Sequence, residues 1–470
     1  MDMTDVTRRK TLTALGATGS VVLAGCGAND DTADESDDDT DETGTEDNDG
    51  TATEDRLEGS ISIGVLQDFS GAVPEYGHQA TTGFYCGLGY KADGDPLPED
   101  AVDEGDYDYT VGDIDVEMHV RDTQFQPGQA QELATELVQD EGVDVLYGGV
   151  QTGSAIRIIN TVIDRSELPY IAGPAAGGSI TNDAETCREE VFRAHETTSM
   201  DARAGGQFIA NETDVERMAL FGADNDFGRD AVSSYRAVLE EQGVEVTMER
   251  FVPPGHAEWS GLLEQAEAEA DGMAGGFTAE TLVPLLQTYF SMEPEITQYG
   301  GLATRLTLTP LGTLLENMLD ELTVEAIQAA RFGPFSTRYH WNQYDNEIND
   351  WYVETHRETY DVVPDLLTSG GFTAASSIIQ AFHQHGQVSG DAVATELRGM
   401  TVTDTPKGES EYEYQLHNNQ ARSKMTIANA IPTEDEGWPA AIQPGEPLHT
   451  VPAEATTPPA DSDEVSCDLS

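Results

Sequence analysis

The sequence predicts an α/β protein of two lobes, each a largely parallel sheet covered by helices on both faces. Three observations point there. Apolar stretches of strand length alternate with stretches of helical spacing along most of the chain. The alternation runs twice, a second set beginning at "RMALFG". The loops leading from strands to helices are rich in glycine, serine and threonine, the composition expected where ligands meet the carboxyl edge of an open sheet. At 470 residues the chain is long enough for two domains of ordinary size.

The elements follow in order. "SISIGVLQDF" reads as a strand, "YGHQATTGFYCGLGY" as a helix and "DVEMHV" as a strand. "QPGQAQELATELVQDEG" reads as a helix, with Pro127 near its start and Gly142 past its end. "VDVLYGGV" is a buried-type strand, "SAIRIINTVIDRSE" a helix and "LPYIAGPAA" a strand with its loop. The second set is "RMALFG", "VEVTMERFV" and "DGMAGGF" as strands. Between and after them, "GRDAVSSYRAVLEEQG", "WSGLLEQAEAEA" and "AETLVPLLQTYFSM" are helices. Further on, "FTAASSIIQAFHQHG" is helical and "EYEYQLHNNQARSKMTIANAI" alternates like a β-hairpin. The Pro-rich tail after Gly437 reads as a surface wrap.

The first 26 residues read as an export signal. Arg8 and Arg9 form a twin-arginine start, and Leu12 to Gly25 is a short stretch of apolar and small residues. Such a stretch falls short of the roughly 20 residues that span a bilayer and fits a secretory signal. "LAGC" (residues 23–26) resembles a lipoprotein box, which makes Cys26 a lipid anchor. Thr11 departs from the bulky apolar residue usual after the arginines. The acidic run 27–58 cannot bury enough apolar surface to fold and reads as a disordered tether.

The chain carries 23 basic and 88 acidic residues, a formal net charge of -65. Only 15 of those acids lie in the run 27–58, so the folded part has an acidic surface of its own. Self-repulsion at that density opposes compaction, and molar salt relieves it by shortening the Debye length to about 3 Å. In this the sequence resembles the proteins of halophilic archaea. The same charge argues against nucleic acid and against an anionic membrane surface as partners.

Setting Cys26 aside leaves three cysteines. Cys86 falls on a helical stretch and reads as a buried free thiol, while Cys187 and Cys467 lie in loop-like sequence and are read as a disulfide pinning the tail. In the entropic picture so large a loop is worth about 5 kcal/mol.

No catalytic signature is present: no G-x-S-x-G elbow, no H-E-x-x-H, no P-loop and no dinucleotide fingerprint. No cysteine and histidine spacing suggests zinc, and no cofactor or metal is expected. "DNEIND" lacks the glycine and distant glutamate of a calcium loop and reads as a helix start. His383 and His385 read as a solvated helix end. What stands out is three loops of small and hydroxyl residues in the first half: "DFSGAVPEYG", "GGVQTGSA" and "AGPAAGGS". Their serines and threonines suit helix caps, and three together suit a ligand site.

"IGVLQDFSGAVPEYG", "RDTQFQPGQAQELATELVQDEGVDVLYGG", "LPYIAGPAA" and "FGADNDFGRDAVSSYRAVLEEQG" resemble, in order and spacing, the leucine/isoleucine/valine-binding proteins of ABC transporters. The resemblance covers about residues 60–431. It implies two Rossmann-like lobes of the type I periplasmic binding protein fold, with the ligand in the cleft between them. The implied division is a first lobe of 59–195 plus 331–403, a second of 196–330 plus 404–436, and a tail of 437–470. Crossovers would lie near His195, Arg331 and Thr403.

The resemblance also implies site residues. The ligand carboxylate would meet Thr152, Ser154 and the loop Ala175, Ala176 and Gly177, where Gly177 lacks the hydroxyl usual there. Tyr76 would face the ligand from the first loop, and Phe227 and Phe277 would close from the second lobe. The family's glutamate for the ligand ammonium is missing from "YGGLAT" (residues 299–304). Glu280, Asp224 and Asp226 are nearby candidates. A buried ammonium without a carboxylate is costly, so an amide, urea or simple carboxylate suits the sequence as well as a branched-chain amino acid. The implied role is a lipid-anchored, monomeric binding component that hands a small polar ligand to permease subunits. A ligand-sensing receptor of the same fold is the alternative, and an enzyme is not expected.

Overall fold

The computed structural model describes residues 57–470, apart from 72, 278, 302, 303, 434 and 436. The export signal, Cys26 and the tether up to residue 56 lie outside the described residues.

Six strands form the first sheet: β1 (Gly59–Gln67), β2 (Gly105–Val111), β3 (Ile114–Asp122), β4 (Val145–Gly148), β5 (Tyr170–Ala172) and β6 (Val191–Phe192). Their order is β2-β3-β1-β4-β5-β6, parallel throughout except that β2 runs antiparallel to β3. Successive side chains of a strand point to opposite faces. Accordingly Ile61, Ile63 and Val65 join one core and Leu66 the other. The edge strand β2, "GDYDYTV", has no place in the sequence-predicted order. One face of it is wet, so it offers no apolar run to read.

The helices Pro74–Lys91 and Thr368–His385 lie against each other on one face of this sheet. Their contact is close enough to need glycine: a Cβ on Gly83 or Gly87 would sit 2.1 or 2.2 Å from the carbonyl oxygens of Thr368 or Phe372. On the other face the helix Pro127–Glu136 begins with proline, where a missing N–H costs nothing. After one wider turn the chain stops at Gly142, with φ 69°.

The second sheet has strands β7 (Arg217–Ala223), β8 (Glu245–Val252), β9 (Gly272–Gly276) and β10 (Thr297–Gln298), in the order β10-β9-β7-β8 and all parallel. Ala219 and Phe221 face one core, Met218 and Leu220 the other. Both sheets are thus covered on both faces. Among the described residues no helix is long and apolar enough to cross a membrane.

The C-terminal third differs from the expected division. Tyr412, Tyr414 and Ala421, assigned to the second lobe, pack into the core of the first sheet. Phe332, Phe335 and Val363, assigned to the first lobe, pack into the core of the second. Part of the tail is buried instead of lying on the surface. Trp438 and Ile442 are buried in the second core, and Ile442–Pro444 pairs with Ala430–Pro432. The physical reason is that two- and three-residue strands gain register from tertiary contact, leaving little periodicity to read. Within the expected hairpin, Tyr412–Tyr414 pairs with Ala421–Ser423, but Met425–Ala428 pairs with Phe335–Thr337 and His449–Val451.

Cys187 and Cys467 are joined by a disulfide, with their Cα atoms 6.0 Å apart. Cys86 is a buried free thiol, and burial pushes its pKa far up, which leaves it inert.

Candidate ligand-binding cleft

A cavity of about 290 Å³ opens between the carboxyl edges of the two sheets, the position expected for a ligand in open α/β folds. One wall comes from the first sheet. The loop after β4 leads into the helix Thr152–Ile158, and Thr152 lines the cleft. The loop after β5 brings Ala176 to the same wall.

The buried side chain of Arg193 orients that loop. Its Nη1 donates to the carbonyl of Ala175 at 3.4 Å and to that of Gly177, and its Nη2 donates to the Thr181 hydroxyl at 2.8 Å. Burial pulls the guanidinium pKa down to about 9, so it stays charged at neutral pH. In a trans peptide the N–H points opposite to the carbonyl. With the Ala175 carbonyl held by Arg193, the Ala176 N–H points away from Arg193, and Ala176 is a residue that lines the cleft. Among the described residues this N–H makes no backbone hydrogen bond. Tyr76, from the helix after β1, also lines this wall. Burial of its hydroxyl raises the pKa to about 12, which keeps it a neutral O–H donor.

The second wall is largely apolar. Phe227 and Phe277 line it with Leu282, Leu286, Leu308 and Leu311. Phe277 is held edge-on by Trp259, ring centroids 5.6 Å apart. Phe227 lies in the first turn of the helix Asp226–Glu241, capped by Asn225, whose Oδ1 accepts from the Gly228 N–H at 2.9 Å. The walls also touch. Ser179 Oγ donates to Asp230 Oδ2 at 2.7 Å, and Glu75 pairs with Arg305.

Five sequence-predicted residues therefore meet in one cavity: Tyr76, Thr152, Ala176, Phe227 and Phe277. Three do not line it. The Ala175 N–H donates to Gly149 O at 3.1 Å. The Gly177 N–H donates to the Thr152 hydroxyl at 3.1 Å, so it organises the wall instead of facing the cleft. Gly177 also lacks a hydroxyl for a steric reason: a Cβ there would sit 2.5 Å from Thr152 Cγ2 and 2.7 Å from Asp230 Oδ2. The Ser154 hydroxyl is buried behind the wall without a hydrogen-bond partner. Of the three candidate acids, Asp226 lines the cleft, Asp224 is exposed and pairs with Arg229, and exposed Glu280 does not line it.

Sequence reasoning missed two charged residues that line the cleft, Asp201 and Arg338. Arg338 Nε donates to Asp201 Oδ2 at 2.8 Å, and its Nη1 to the Glu196 carbonyl at 3.2 Å. Neither stretch signals a site. "TSMDARAGG" reads as an ordinary helix start, and Arg338 follows a three-residue strand.

A periplasmic binding protein family model matches residues 60–435, most of the chain. The chain belongs to the periplasmic binding protein family. It is thus a binding protein and not an enzyme. The Leu/Ile/Val-binding protein homolog 6 of Brucella abortus is 24% identical over 302 residues, covering 63% of this chain and 73% of that one. Two solved structures share the fold. An ABC-type branched-chain amino acid transporter protein from Rhodopseudomonas palustris has a TM-score of 0.63 at 20% identity, covering 84% of this chain and 97% of that one. A solute-binding protein of an ABC transporter from R. palustris BisB5, in complex with 3,4-dihydroxybenzoic acid, has a TM-score of 0.64 at 17% identity, covering 84% and 98%. As in any two-lobed periplasmic binding protein, what the cleft does follows from its walls: N–H and O–H donors on one side, apolar surface on the other.

Proposed function

We propose that this chain is the extracytoplasmic binding component of an ABC importer, taking a small carboxylate-bearing solute, in the first place a branched-chain amino acid. The observation that carries the reading is the Ala176 N–H, which points away from Arg193 on a residue that lines the cleft. With the hydroxyls of Thr152 and Tyr76 it offers a carboxylate three uncharged donors. The phenylalanines and leucines opposite suit a short apolar side chain. The ligand favours closure only through the added contacts it makes with the second wall. The chain would cross between the lobes near His195, between Phe335 and Tyr339, and between Ala421 and Ala430, whose side chains pack in different cores.

A second cargo is supported by the aromatic second wall and by the relative that holds 3,4-dihydroxybenzoic acid: an aromatic carboxylate. Urea and short amides, or a sensing role with a separate membrane partner, use the same cleft. The deciding experiment is a thermal-shift screen of the full chain in molar KCl. It would compare leucine, isoleucine, valine, urea, acetamide and 3,4-dihydroxybenzoate, since binding to the folded state raises Tm. A shift with none of them would remove the small-carboxylate reading.

The charge of -65 supports a setting of molar salt, and "LAGC" supports a lipid anchor at Cys26 on a protein exported folded by the twin-arginine route. Dilution to low salt is then expected to lower Tm steeply, and Cys26→Ser to release the protein from membranes. A salt-independent Tm, or a variant that stays on the membrane, would refute these readings in turn.

A further inference from the structure

Around Gly300 and Gly301 the cleft holds a group of buried acceptors that the protein leaves unused. Arg338 spends both Nε and Nη2 on one oxygen of Asp201, Oδ2. The other oxygen, Oδ1, has only a 3.5 Å contact with the Ser336 hydroxyl. The Gln298 side chain donates through Nε2 to the Tyr299 carbonyl, while its Oε1 is buried without a partner among the described residues. The Tyr235 hydroxyl, 2% exposed as a residue, lies beside Ser336 without a hydrogen bond of ordinary geometry. Asp201, Gln298, Tyr235, Gly300 and Gly301 all line the cleft.

The glycine pair is their common neighbour. A Cβ on Gly301 would stand 3.4 Å from Asp201 Oδ1, and one on Gly300 would stand 4.0 Å from both Gln298 Nε2 and the Tyr235 oxygen. The bare backbone there leaves the space beside these groups open. A buried polar atom left unpaired costs about 1–3 kcal/mol, so two in one corner of a ligand cleft, beside a carboxylate oxygen with a single long contact, need a reason.

We infer that Asp201, with Gln298 and Tyr235, is the subsite for the ligand's ammonium group. An ammonium carries three N–H donors and no acceptor, which matches three acceptors and no spare donor but the Tyr235 hydroxyl. Charge agrees. The charged residues lining the cleft are Asp201, Asp226 and Arg338, two carboxylates to one guanidinium. That excess favours a zwitterion over a bare carboxylate, whose charge nothing there would balance. Asp201 thus supplies the acid absent from "YGGLAT", from a helix about a hundred residues earlier. It is a specificity-determining residue: it selects amino acids over amides, urea and simple acids.

The inference rests on the proposed small-carboxylate function, and the test separates the two. The full chain in molar KCl is titrated calorimetrically with leucine and with 4-methylpentanoate, the same skeleton without its amine. The expected result is leucine binding at least about 100-fold tighter, the effect of pairing a buried charge. Asp201→Asn alone strands Arg338 and threatens folding, so two other variants carry the test. Tyr235→Phe removes an oxygen without an intraprotein bond. It should cost leucine about tenfold, leave 4-methylpentanoate unchanged and leave Tm unchanged. The double change Asp201→Asn with Arg338→Gln keeps the corner neutral and should erase the preference for leucine. Equal binding of the two compounds by the wild type, or equal losses for both in Tyr235→Phe, would overturn the inference and leave the small-carboxylate reading standing. Binding of neither compound would overturn both.

Discussion

The two walls of the cleft are built on opposite plans. The first is main chain and hydroxyls, set by loops that follow directly from strands β4 and β5. Its donors are fixed by a buried guanidinium behind them. The second is side chains: two phenylalanines, a run of leucines, and a charged corner drawn from the helix Thr198–Glu212 and from Arg338. The contrast teaches a division of labour. On the proposed reading, a main-chain wall grips the carboxylate that the amino-acid and aromatic-acid candidates share. A side-chain wall can vary one residue at a time, and it decides which ligand stays.

If that division is right, damage to the two walls should differ in kind. The largest effect is expected from Arg338→Met, which strands Asp201 as a buried unpaired carboxylate. It should cost about 3–5 kcal/mol of stability in a denaturant titration; a loss under 1 kcal/mol would show the pair to be solvated. Next, Phe227→Ala should weaken leucine by about 30-fold or more, as removal of a buried aromatic anchor does, with a smaller change in Tm. An unchanged Kd would mean the second wall does not close on the ligand.

On the first wall, Thr152→Ala should weaken leucine and 4-methylpentanoate equally, by about tenfold, and Ser154→Ala should weaken neither. A loss confined to leucine would break the assignment of Thr152 to the carboxylate. The smallest effect comes from acid. His195 packs behind the first wall, where a Cβ on Gly173 would stand 2.2 Å from its Nδ1. Burial lowers its pKa to about 4. The folded value lies below the unfolded one of about 6.5, so its stabilisation is present above pH 6.5 and is lost as pH falls toward 4. Between pH 6.5 and 5.5 that amounts to about 1 kcal/mol, and His195→Gln should remove that share of the slope in denaturant titrations. His340 and His356 are lowered to about 4 by the same cause and should account for similar shares.

The same contrast explains what could be read from the sequence. The first wall was legible because its residues follow their strands at once: Thr152 and Ala176 stand four residues after β4 and β5 end. Phe227 and Phe277 were named only through the family resemblance, and they too follow strands, β7 and β9. Gly177 was misplaced because its N–H bonds to Thr152, a contact between two loops that neither loop's composition reveals. Ser154 was misplaced because two residues of helix, about half a turn, carry it from the face of Thr152 to behind the wall. Asp201 and Arg338 were invisible because 137 positions separate them and only the tertiary fold makes them a pair. The parallel sheets showed in the period of their apolar residues. The C-terminal strands did not, since three residues carry less than two periods.

The C-terminal tail is fastened to both lobes. Ile442 and Trp438 fix it in the core of the second sheet, and further on Cys467 is bonded to Cys187, with Ser466 and Cys467 donating to the Asn182 carbonyl beside the first sheet. A strand of chain secured at both ends across a hinge works as a check-strap. Such a strap should leave closure free and limit how wide the mouth can swing. Cutting it by reduction should let the lobes travel further apart, seen as a larger radius of gyration without ligand and an unchanged one with it. Oxidation of Cys187 and Cys467 would then do more than harden the protein: it would set the stroke of the machine.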